Sequence, residues 1–184
     1  MVLFDANVTW KILSFFISSP SKEEHVKGIS RSLKIGSGSA STLCKRLHKE
    51  RLLNKQIKGN AYFYSLNNQN PLVKSLKRSW FLEQLMKYKN CWENREHILV
   101  VLYGSYASGE FIEKSDVDIL VITNVKDREV FAKFDSLRES LKPELLITVL
   151  PLSKWREMAK KHDRFYTEVI SNHILLYGSS IVIG

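Results

Sequence analysis

The chain has 184 residues, 44% hydrophobic and 26% charged, with a formal net charge of +9. That is the composition of one ordinary globular domain or two small ones, and it excludes a disordered or low-complexity chain. No apolar run approaches the length of a membrane span, and residues 1–10 lack the basic start and apolar core of a signal peptide, so a cytoplasmic chain with no membrane role is expected.

Cys44 and Cys91 stand far apart, and His25, His48, His97, His162 and His173 form no ligand pair, so neither a disulfide framework nor a Cys/His metal site is indicated. Charge is unevenly spread. Residues 1–90 hold 16 Lys/Arg against 5 Asp/Glu, and residues 91–184 hold 12 against 14. A basic half joined to a mildly acidic half suggests two modules with different partners.

In the basic half, Trp10, Ile12, Leu13, Phe16 and Ile17 recur at helical spacing over Val8–Ile17. Ser21-Lys-Glu-Glu24 has the form of a capping box, predicting a second helix from there to Leu33. A third helix is expected from Ser39 to Glu50, with Leu43 and Leu47 inward. Two strands, Leu52 to Ile57 and Ala61 to Leu66, flank a Lys58-Gly59-Asn60 turn.

Between Arg31 and Asn60 there are eight Lys/Arg and one acid, Glu50. Lys45, Arg46, Lys49, Lys55 and Lys58 suit phosphate contacts, and Ser39, Ser41 and Thr42 suit base edges. Asn70-Pro71 opens a linking segment read as one helix or two from Pro71 to about Trp92, which also offers a seam for a homodimer.

The acidic half carries the densest chemistry. An apolar strand over residues 98–103 runs into Gly104-Ser105, a second glycine follows at Gly109, and Ser115-Asp116-Val117-Asp118 opens another apolar run. Glycine lets a phosphate approach the backbone, a serine hydroxyl can bond its oxygens, and a helix starting near Ser105 favours the same anion. Asp116 and Asp118, two apart at a strand start, share a face and repel unless a cation lies between them, and Mg²⁺ prefers such oxygen ligands.

Further on, a helix is expected over residues 126–141 and a strand over Leu145–Leu150. Ser153 is expected to cap a short helix. Asp163 to Asn172 reads as a further helix, and residues 174–183 as a closing hairpin.

Two resemblances follow. Val8 to Leu66 resembles the winged helix-turn-helix domains of prokaryotic regulators, whose third helix enters the major groove, which implies double-stranded DNA as a partner. Gly104-Ser105, Gly109 and Ser115-Asp116-Val117-Asp118 resemble the signature of minimal nucleotidyltransferases of the DNA polymerase beta superfamily. That resemblance implies a small α/β (α+β) fold with a mixed sheet and Mg²⁺ on Asp116 and Asp118. It places an NTP against Gly104, Ser105 and Ser115, and implies nucleotidyl transfer to an acceptor hydroxyl.

The third carboxylate of that family aligns with Thr148, and Glu144, four residues earlier, is its substitute candidate. Some family members act on a separate small helical protein partner, so the resemblance also implies a complex of that kind as a candidate. The expected organisation is a DNA-binding domain at 1–69, a linking helix at 70–92 and a nucleotidyltransferase-like domain at 93–184. The alternative is a transcription regulator whose nucleotidyltransferase-like domain is a catalytically silent nucleotide sensor.

Overall fold

Helix α1, Val8–Ile17, begins where the Asn7 side chain accepts the Trp10 N–H at 3.1 Å, and it buries Ile12, Leu13, Phe16 and Ile17. The computed structural model describes residues 7–93, 97–178 and 180–181, and the chain divides into two units, residues 1–83 and 84–184.

The first unit corrects the capping box. Glu23–His25 is a strand, β1, and helix α2 covers only Val26–Leu33. β1 pairs antiparallel with Phe63–Ser65, Lys58 forms an ion pair with Glu23, and the Glu24 carboxylate accepts the His25 N–H at 3.0 Å. A ladder partner satisfies the backbone of this segment, so the local capping preference loses.

Helix α3, Ser37–Lys49, starts two residues earlier than the sequence suggests. It buries Ala40, Cys44 and Leu47, leaving Leu43 half-buried. Strands β2, Leu53–Lys58, and β3, Ala61–Leu66, pair from Lys58↔Ala61 around Gly59-Asn60, and Gly59 takes a φ of 58°, open to glycine at little cost. The three strands lie in the order β1-β3-β2.

Helix α4, Pro71–Leu85, has Pro71 in its first turn, and the Asn70 side chain accepts the Leu72 N–H at 2.8 Å. A second helical segment, the 3₁₀ helix Met86–Cys91, follows it, with non-helical dihedrals at Tyr88.

The second unit is built on a mixed sheet in the order β6-β5-β4-β7: β4 is His97–Tyr103, β5 Val117–Thr123, β6 Leu145–Leu150 and β7 His173–Tyr177. β5 is antiparallel to β4 and parallel to β6, and helix α6, Asp127–Ser140, makes the crossover between β5 and β6. The centre of β5 is buried on both faces, which accounts for its unbroken apolar run.

Helices α7, Leu152–Lys160, and α8, Arg164–Ser171, contribute to the core on one face of this sheet. Trp155 and Val169 there join Leu99, Val101, Tyr103, Leu120 and Ile122. Pro151, not Ser153, stands at the start of α7, and Asp163 caps α8 by accepting the Phe165 N–H at 2.8 Å. β7 pairs with β4, and residues 179, 182 and 183 of the expected closing hairpin lie outside the described residues.

Trp155 is fully buried, packs against Tyr166 at 4.7 Å and donates its indole N–H to Ile181 O at 3.1 Å. Trp155→Ala is expected to cost about 3–5 kcal/mol by cavity formation and loss of that bond, read from urea unfolding.

Candidate active site

The site is made by the pairing of β4 with β5. Tyr103, the last residue of β4, stands opposite Asp118 near the start of β5. Gly104 follows with a φ of 68° and opens α5, Gly104–Ser108, which Gly109 ends in the left-handed conformation with a φ of 77°. A Cβ added at Gly104 would lie 2.5 Å from Oδ2 of Asp118. Glycine is therefore required here twice over, by the backbone angle and by the carboxylate that occupies the side-chain position.

Asp116 lies one residue ahead of β5, exposed, and Asp118 lies within the strand, half-buried. Burial first, then the charges of Asp116 and Glu168, push the Asp118 carboxyl from its ordinary 3.8 to about 6. Burial chiefly raises the Tyr106 hydroxyl to about 12, with the charges of Asp116 and Glu113 adding to it. Burial also raises Tyr103, the Thr148 hydrogen bond opposes this, and the charges of Asp118 and Glu168 add to it.

The Asp118 carboxylate beside the side-chain-free Gly104, with the charge of Asp116 acting on it, offers oxygen ligands of the kind a hard divalent cation such as Mg²⁺ takes, and such a cation would relieve the repulsion. Among the described residues, no group of three His, Cys, Asp or Glu gathers as a ready-made metal cluster.

The remaining residues singled out in the sequence are distributed as follows. Ser105 is half-buried in the first turn of α5, and its carbonyl accepts the N–H groups of Glu110 and Phe111. Ser115 uses its hydroxyl locally, accepting the Ile112 N–H at 2.9 Å. Glu144 is exposed, one residue ahead of β6, with its carbonyl accepting the Val117 N–H at 2.8 Å. Thr148 stands opposite Leu120, and its hydroxyl lies 3.3 Å from that of Tyr103.

Glu168 escaped the sequence reading, because nothing local in Arg164–Ser171 shows which strand end its helix faces.

In the first unit, Ser39, Thr42, Lys45, Arg46 and Lys49 are exposed on α3, and Ser41 is half-buried. Arg46 pairs with Glu50 at 2.9 Å, Lys58 with Glu23, and the Lys55 ammonium sits 3.9 Å from the centre of the Tyr62 ring.

The mixed α/β fold of the second unit is that of a nucleotidyltransferase domain. Residues 85–177, half of the chain, match the nucleotidyltransferase domain family, and the chain belongs to it. A proposed protein adenylyltransferase of Methanocaldococcus jannaschii is 39% identical over 59 residues, covering 30% of this chain and 59% of the relative. A bifunctional uridylyltransferase/uridylyl-removing enzyme of Stutzerimonas stutzeri is 32% identical over 57 residues, 29% of this chain and 6% of the relative. The chain thus spans less than two thirds of each relative's length. A solved toxin–antitoxin structure with AMP-PNP is similar at 17% identity and a TM-score of 0.37, over 56% of this chain and 74% of that one.

The raised Asp118 carboxyl sets a pH dependence. Its folded value lies above its ordinary one, so its contribution to stability is fully present below about 4 and is lost as pH rises through about 6. Without added divalent cation, Asp118→Asn is expected to melt higher than the wild type at pH 7.5, the two converging below pH 4. Thermal unfolding followed by circular dichroism checks this.

Proposed function

We propose that residues 84–184 bind a nucleoside triphosphate with Mg²⁺ and transfer its nucleotidyl group to an acceptor hydroxyl, releasing pyrophosphate. The observation that carries this is the Asp118 carboxylate pressed against Gly104 while the charge of Asp116 acts on it. In this reading Asp116 and Asp118 hold the cation. The Gly104 backbone and the Ser105 hydroxyl receive the phosphates, and Ser115 shapes the loop between them. Bound Mg²⁺ would supply charge neutralisation for the phosphates and the leaving pyrophosphate.

The names of the two relatives differ in the nucleotide, adenylyl in one and uridylyl in the other, and share the reaction class. The adenylyltransferase name supports a protein hydroxyl as acceptor, which keeps a small helical protein among the candidate partners.

A second reading, a silent nucleotide sensor, is favoured by Thr148, whose hydroxyl cannot replace a carboxylate as cation ligand or base. Pyrophosphate release decides between the two.

For residues 1–69 we propose a winged helix that binds double-stranded DNA. The order α1-β1-α2-α3-β2-β3 with sheet order β1-β3-β2 supports it. Lys45 and Lys49 on α3, with Lys55 on the hairpin, would meet phosphates, and Ser39, Ser41 and Thr42 would face bases. Arg46 and Lys58 already pair with Glu50 and Glu23 and would contribute less. A homodimer would let two copies read two half-sites.

Calorimetry should show Mg²⁺-dependent NTP binding that Asp118→Asn weakens by more than about 100-fold, the upper end of the loss for outer-shell partners of a metal. In the wild type, affinity should fall about tenfold per pH unit below 6, as protons compete with the cation for Asp118. Duplex DNA should bind more weakly to Lys45→Ala and Lys49→Ala, each lowering the slope of log K against log salt by about 1. Binding insensitive to salt would exclude the DNA reading.

A further inference from the structure

We propose that Glu168 of α8 is the acceptor-side carboxylate of this site, taking the proton from the attacking hydroxyl. The proposal deepens the transfer reading above and rests on it. Where β6 would offer an acid, the chain has Thr148, and its hydroxyl is engaged with Tyr103 at 3.3 Å. A hydroxyl there is no base at neutral pH. Glu144, the other acid near β6, is exposed ahead of the strand.

Strand register aligns Tyr103 with Asp118 and Leu120 with Thr148. Paired residues of neighbouring strands point to the same face, so Tyr103, Asp118, Leu120 and Thr148 share one side of the sheet. Helix α8 packs on that side. Phe165 meets the Tyr103 ring edge-on, with centroids 5.6 Å apart, and Val169 and Ile170 lie in the same core. Glu168 is three residues beyond Phe165 on α8, one helical turn along the same flank.

β7 begins at His173, two residues after α8 ends, and His173 pairs with Tyr103, so the C-terminal turn of α8 that carries Glu168 lies at the end of the sheet where Tyr103 and Asp118 stand. Its negative charge acts on both of them. The side chain is exposed, so it is accessible to an incoming acceptor. It is the acid that the helix, and not the expected strand, brings to this face.

The acceptor O–H proton passes to the Glu168 carboxylate, and the acceptor oxygen forms a bond to the α-phosphorus. The bond from that phosphorus to the α–β bridging oxygen breaks, and pyrophosphate leaves with the electron pair.

The test uses the full chain with Mg²⁺, each of the four NTPs in turn and water as acceptor. Pyrophosphate release is measured beside calorimetric binding of a non-hydrolysable NTP analogue. Glu168→Gln is expected to bind the analogue within about threefold of wild type and to release pyrophosphate at least about 100-fold more slowly, the lower end of general-base contributions. Its melting temperature should be unchanged, since the side chain is exposed.

Release at the wild-type rate by Glu168→Gln would overturn the proposal. So would a tenfold or greater loss of analogue binding, which would make Glu168 a binding group. A wild type that binds the analogue and releases nothing from any NTP would defeat the transfer reading itself, and this proposal with it.

Discussion

A carboxylate pressed against a residue without a side chain is the contact on which the second unit turns. Gly104 must hold a positive φ to turn the chain from β4 into α5, and Asp118 Oδ2 fills the space where a Cβ would stand. The contact exists because β4 and β5 run antiparallel in a register that sets Tyr103 opposite Asp118. That register is held in turn by apolar residues of both strands, packed from each face of the sheet. The core thus fixes where an acid and a stretch of bare backbone meet.

The same placement leaves the acid electrostatically frustrated. Asp118 is half removed from water and has Asp116 and Glu168 for company, so its charged form is disfavoured until something positive arrives. A structural ion pair would have placed a Lys or Arg there. Tension of this kind between fold and charge clusters at functional sites, and residues 85–177, which contain it, belong to the nucleotidyltransferase domain family.

Much of this was legible in the sequence because it is local. The Gly-Ser corner, the Asp-Val-Asp pair and the apolar strands either side are contiguous, and their spacing follows from strand period and glycine freedom. The hairpin at Gly59-Asn60 and the Asn70-Pro71 helix start were readable for the same reason. What failed depended on distant partners. Glu23-Glu24-His25 follows Ser21 like a helix cap and becomes a strand because β3, some forty residues on, offers a ladder. Glu168 was invisible because its importance lies in which face α8 covers, and no periodicity within Arg164–Ser171 encodes that.

The most direct test of the central claim is a crystal structure of the chain with Mg²⁺ and a non-hydrolysable NTP. A cation shared by Asp116 and Asp118, with the phosphates lying along the backbone at 104 and 105, is the expected result. A nucleotide bound elsewhere, or an Asp116 side chain turned away from Asp118 with the nucleotide present, would contradict it.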